Sequence, residues 1–332
     1  MEERLIRVAG EGVRREHGEA RGGEARPAKA NYRVVEKGMT PVDAFRAVCA
    51  ACVQHIEANR QGALAAADPE YLHQIRVALR RLRTAFEVFS GAVPEAVAAP
   101  MLAELRWLSR ALGRARDWDV FIGATLRRAQ SSRPRHPGLR ALRTASEGLG
   151  AEARSVAHRA LESRRYYGVM RALRALSYAD ADERPSPGPV RALPMRVRAA
   201  AVIAAMYGKA RKRGRKLMRL DAGDIHRLRN AVRRLRYALL FLDPILPEAR
   251  ARSLAAAVEA LQETLGGIND CAVAGELLDL ARAEAQGPQR RKARKLLKKR
   301  IGAARAALRD GLVGQWEEFR AAEKWWSPAA RA

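Results

Sequence analysis

Two short runs of cations in this sequence share a pattern suited to holding phosphate. His73-Gln-Ile-Arg76 leads into Arg80-Arg81-Leu82-Arg83, and 153 residues later His226-Arg-Leu-Arg229 leads into Arg233-Arg234-Leu235-Arg236. Arg presents a planar fork of donors that meets two phosphate oxygens at once. His adds a donor whose second N–H appears on protonation, so its contribution depends on pH. Neither run contains an acid between its His and its last Arg. A solvated helix face normally intersperses Glu to relieve repulsion between cations one turn apart. Two acid-free rows in one chain therefore point to an anionic ligand.

The elements that position these rows must be helices. At about 100° per residue, His73, Arg76, Arg80 and Arg83 share one helical face, while Ile75, Leu79, Leu82, Phe86 and Phe89 form an apolar stripe toward a core. Arg81 stands apart on this wheel. Leu228, Val232 and Leu235 repeat the stripe in the second copy, with Tyr237 beside the His face. The likeness extends well beyond the rows. Residues 73–120 and 226–273 align without a gap at 18 identities in 48, pairing Pro94-Glu95-Ala96 with Pro247-Glu248-Ala249, Leu112-Gly113 with Leu265-Gly266, and Asp117 with Asp270. This internal repeat predicts an all-α fold of two similar antiparallel helical bundles related by a pseudo-twofold axis.

Helix signals cover nearly everything from Thr40 onward. Thr40-Pro41 and Asp68-Pro69 read as N-caps followed by Pro in the first turn. Breakers fall at Gly91 to Pro94, Gly113, Pro134 to Gly138 and the Pro-rich stretch 180–194. The expected organisation is a largely disordered tail at 1–39, with a short extended piece at Tyr32 to Val35. A first helical half at 40–179, a linker at 180–194 and a second half at 195–326 follow.

Charge agrees with the rows. The 332 residues carry 63 Lys and Arg against 36 Asp and Glu, a formal charge of +27, yet 48% are hydrophobic. That is too apolar for a disordered polycation and too cationic to lack a polyanionic partner. The tail nets only +2, so the folded part carries the excess. Three Cys cannot form a disulfide framework. The first residues lack the apolar run of a signal peptide, and the uncharged stretch near Ala199 to Gly208 is too short to span a membrane. A cytoplasmic protein is expected.

The duplicated H-x-x-R-x-x-x-R-R-L-R helices, each followed by Leu-Gly-x-x-x-Asp, resemble the CHAD family, the conserved histidine α-helical domain. The resemblance covers roughly residues 40 to 326. It implies two helical bundles enclosing a basic cavity or groove that binds inorganic polyphosphate without catalysis, and an association with polyphosphate granules. The chain lacks the E-x-E-x-K strand of the CYTH triphosphatase domains to which some members are fused, and so resembles a stand-alone member. The residues expected to bind polyphosphate are His73, Arg76, Arg80, Arg81, Arg83, His226, Arg229, Arg233, Arg234 and Arg236. Aromatic residues make up 5% and none interleaves with the basic runs, unlike a single-strand binder. The alternative reading is a nucleic-acid-binding or compacting protein; otherwise nucleic acid is expected only as a competing polyanion.

Other constellations carry less. The run 208–219 holds seven cations and no acid, offering Lys209, Lys212, Arg213 and Lys216 as additional anion contacts. The run 290–300 holds eight cations and no acid on a helix with one face packed through Leu296 and Leu297; peripheral recruitment of anion is expected there. Asp117, Asp119, Asn269 and Asp270 lack His or Cys at ligand spacing and read as structural groups that orient an Arg or cap a helix. Cys49-x-x-Cys52 with His55 has no second pair and reads as packing. No metal, cofactor or catalytic residue is expected.

Overall fold

The two repeated helices begin alike. The Asp68 side chain accepts the Glu70 N–H at 2.8 Å and the Asp221 side chain accepts the Asp224 N–H at 2.7 Å. Each cap satisfies a backbone donor that the helix itself leaves unpaired. Upstream, Thr40 and Asp43 cap reciprocally, the Asp43 N–H donating to Thr40 Oγ1 and the Thr40 N–H to Asp43 Oδ2, each at 3.2 Å.

The structure, a computed structural model, describes residues 26–65, 68–178, 193–219, 221–281, 287–322 and 325–326. The first half comprises α1 (Pro41–Ala65), α2 (Pro69–Val88), α3 (Glu95–Ala111), α4 (Gly113–Val120), a π-helical turn (Phe121–Leu126), α5 (Arg127–Ser132), α6 (Pro137–Glu162) and α7 (Arg164–Tyr178). The second comprises α8 (Met195–Arg213), a 3-10 turn (Leu217–Arg219), α9 (Ala222–Leu242), a second 3-10 turn (Asp243–Ile245), α10 (Glu248–Leu280) and α11 (Pro288–Ala321). Among the described residues no strand occurs, so the chain is all-α.

Helix bounds follow the offset of the repeat: α2 lies in register with α9, and α1 with α8. The halves differ in one place. The 33-residue α10 runs unbroken through the positions where the first half divides into α3, α4 and the π turn. Gly alone does not end a helix, because Gly266 and Gly267 lie inside α10 while Gly113 opens α4. The buried side chains of both halves join in one core. Phe89 and Phe241 stack across the α2–α9 seam with ring centroids 6.2 Å apart.

The reading of residues 1–39 as a disordered tail needs correction for its last third. Residues 26–40 lack regular structure but are docked: Val35 is fully buried, the Ala28 carbonyl accepts from Asn59 Nδ2 at 3.0 Å, and the Met39 carbonyl accepts the Met195 N–H at 2.7 Å. No periodic pattern marks such a strap, since single side chains and carbonyls hold it. Residues 1–25, and the linker expected at 180–194 apart from Leu193 and Pro194, lie outside the described residues.

Candidate polyanion-binding site

Helices α2 and α9 pack side by side and bring the two rows of cations together. Arg80 Nε donates across the seam to Tyr237 Oη at 3.4 Å, and Arg233 donates to Asn230 Oδ1. Beside them opens a cavity of about 300 Å³ lined by Arg80, Arg83, Arg106, Arg233 and Arg234, with Glu87 as the single acid among the described residues. Glu87 already serves two cations, Lys209 at 2.8 Å and Arg234 at 3.1 Å.

The electrostatics show what this crowding does. Burial, then Arg229 and Arg80, push the Arg233 guanidinium down to about 9. Burial and Arg80 bring Arg76 to about 10, against the pull of Asp117. Arg83 is lowered by burial and by Arg234, Arg106 and Arg110, and Arg229 by burial, with Asp270 opposing. Burial, Arg116 and Arg80 hold the His73 imidazole down to about 4. Each group is less stable charged here than in water, and an anion in the cavity would offset the cost for several at once.

The seam also gathers residues equivalent in the repeat. Arg76 acts on Arg229 and Asp117 on Asp270, so two pairs of residues at the 153-residue offset lie close enough at the seam to influence each other. Asp117, raised by burial, is drawn back by the charge of Arg76, and Asp119 pairs with Arg154 at 3.0 Å. A Cβ on Gly113 would come within 3.1 Å of Arg76 Nη1, so the missing side chain leaves room for that guanidinium to donate to the Ser109 carbonyl.

Arg81 does not belong to the row. Its side chain is wholly buried beneath the strap, donates to the Asn31 carbonyl and lies 4.5 Å from the Tyr32 ring centroid. Arg236 is held by Glu259 at 2.6 Å, and His226 is exposed in the second turn of α9. Lys212, Arg213 and Lys216 are exposed at and just beyond the end of α8. Cys49 and Cys52 are buried, with thiols pushed up by burial to about 12 and about 11, while His55 Nε2 lies 3.0 Å from both the Ala28 carbonyl and Gln74 Oε1. Among the described residues no group of three His, Cys, Asp or Glu is placed to hold a metal, and no helix is long and apolar enough to cross a membrane.

Sequence reasoning missed Arg106 and Arg116, which lie outside the repeated rows. A signal for Arg106 existed: it aligns with Glu259, an acid that pairs with the row cation Arg236 in the second half.

The family model for the CHAD domain matches residues 47–279, and the chain belongs to that family. The crystal structure of the CHAD domain from the plant Ricinus communis is similar at 30% identity and a TM-score of 0.74, covering 91% of this chain and 99% of that one. PptA from Streptomyces chartreusis shares the fold at 17% identity and a TM-score of 0.65, covering 85% of this chain and 99% of its own. No curated protein matches the chain.

Proposed function

We propose that this protein binds inorganic polyphosphate along the α2–α9 seam and does not transform it. The observation that carries this reading is the cavity in which five Arg converge with one already engaged Glu. Such a site is short of negative charge, and a phosphate chain supplies it repeatedly along its length. From His73 to Arg83 the row extends about 15 Å at the helical rise, room for several phosphate units. Among the described residues Phe86 is the only aromatic side chain that lines the cavity, a poor platform for stacked bases. Membership of a family associated with polyphosphate supports the same ligand. The expected location is the cytoplasm, at polyphosphate granules.

Titration with polyphosphates of defined length, at several salt concentrations, tests this. Neutralised phosphates release counterions, so log affinity should fall linearly with log salt. Binding that barely responds to salt would sink the proposal. In competition, polyphosphate should displace RNA; displacement only in the opposite direction would favour the nucleic-acid reading.

A further inference from the structure

A second acid-poor surface lies away from this cavity. Helix α4 packs on both α2 and α6, and α10 on both α9 and α11, so a layer of helices separates the α2–α9 seam from the α6–α11 seam. At the second seam the helix starts meet: a Cβ on Gly138 would come within 2.1 Å of the Gln289 carbonyl oxygen. Both positions follow the Pro that opens their helix, so two positive helix ends share one corner. Farther along, Arg300 Nη1 donates to Ser132 Oγ at 2.5 Å and joins α11 to the end of α5.

Residues 127–140 carry five exposed Arg and no acid, and residues 290–300 carry eight cations and no acid. Asp279 engages Arg294 at 2.5 Å and Lys298 at 3.3 Å. Lys292, Lys295 and Lys299 remain exposed on one helical face, without an ion pair among the described residues.

We infer that the α6–α11 seam is a second polyphosphate-binding surface, so that one molecule holds two stretches of polymer on either side of a helix layer. This rests on polyphosphate being the ligand of the first seam. The two surfaces differ in kind. Arg80, Arg83 and Arg233 of the first are half-buried between packed helices, which suits close contact; the cations of the second are solvated and act by counterion release. No Phe, Tyr or Trp occurs in 127–140 or 290–300, so bases would find few platforms to stack on, whereas a bare phosphate polymer loses nothing. Two surfaces on one rigid body raise the effective concentration for a long chain and link separate chains into condensates.

The test compares the intact protein with the Lys292→Ala/Lys295→Ala/Lys299→Ala variant, using short and long inorganic polyphosphate. Ala suits exposed helix positions, and circular dichroism checks the fold. Short-chain affinity should stay within about twofold, since solvated charges contribute little to one short ligand. For long chains the log–log salt slope should fall by about two, from three lost contacts, and light scattering from protein–polymer mixtures should drop. Unchanged long-chain affinity and scattering would overturn the inference. So would loss of duplex RNA binding with long polyphosphate retained, which would give the surface to nucleic acid. Failure of the intact protein to bind short chains, with the long-chain loss still seen in the variant, would count against the first seam and leave the second standing.

Discussion

Arg83 and Arg236 hold the same place in the two repeated helices, but their surroundings have opposite charge. Arg236 is paired with Glu259 at 2.6 Å, whereas Arg83 faces Arg106, the residue that aligns with Glu259. The second half is neutralised at this position and the first is left open. Arg106→Glu should copy the closed arrangement into the first half. Affinity for polyphosphate should fall at least about tenfold, because one charge-assisted contact of about 1.5–3 kcal/mol is lost and a repulsive charge is added. The melting temperature should rise as Arg83 gains a partner. Binding equal to that of the unaltered protein would remove the cavity from the binding surface.

Arg80 and Arg233 contribute from opposite helices, and a long chain can use both rows at once. Replacing both by Ala should weaken long polyphosphate much more than short. The free protein should melt higher, by about 2–4 °C per kcal/mol of repulsion removed. Isothermal titration with two chain lengths, beside thermal melts of the single and double variants, checks both halves of this expectation. Equal losses for both lengths would mean two independent sites.

His73 gives binding a pH dependence with a definite sign. Burial, Arg116 and Arg80 hold its pKa near 4 against an ordinary 6.5, with Glu70 pulling the other way. Between those values the unfolded chain takes up a proton that the folded protein refuses, so stability rises with pH from about 4 to 6.5 and then levels off. A bound polyanion favours the imidazolium, so affinity should increase as pH falls through this window, with proton uptake. His73→Ala should flatten both dependences. Calorimetry in buffers of different ionisation enthalpy measures the proton directly, and zero uptake at pH 5 would exclude the imidazole from the site.

Arg81 should behave as a structural residue. Arg81→Ala removes a buried side chain, its contact with the Tyr32 ring and the anchor of the strap, for a loss of about 2–4 kcal/mol. Denaturant unfolding should show that loss while the salt slope of polyphosphate binding stays unchanged. A preserved stability with a shallower slope would return Arg81 to the binding row.

The helices were legible because their signals are local: Asp68 and Asp221 cap, and Ile75, Leu79 and Leu82 keep the helical period. The facing of the rows was legible because the same face recurs in both copies. Other features depend on partners distant in sequence. The wheel set Arg81 apart, but its burial comes from Asn31 and Tyr32, which sit in a segment with no period at all. The absence of acids within the rows is real, yet Glu87 and Glu259 reach them from elsewhere and hold Arg234 and Arg236.

The unbroken α10 and the divided α3, α4 and π turn make the two halves unequal in time as well as in shape. A continuous helix frays from its ends and keeps its middle closed, whereas a segment divided at Leu112 and closed by π-type bonds over Phe121–Leu126 has joints at which to open. Amide protons at 112–126 should therefore exchange faster than those at 265–279, though the two stretches align at the 153-residue offset. On that expectation the half that carries Arg83 and Arg106 is the more compliant of the two.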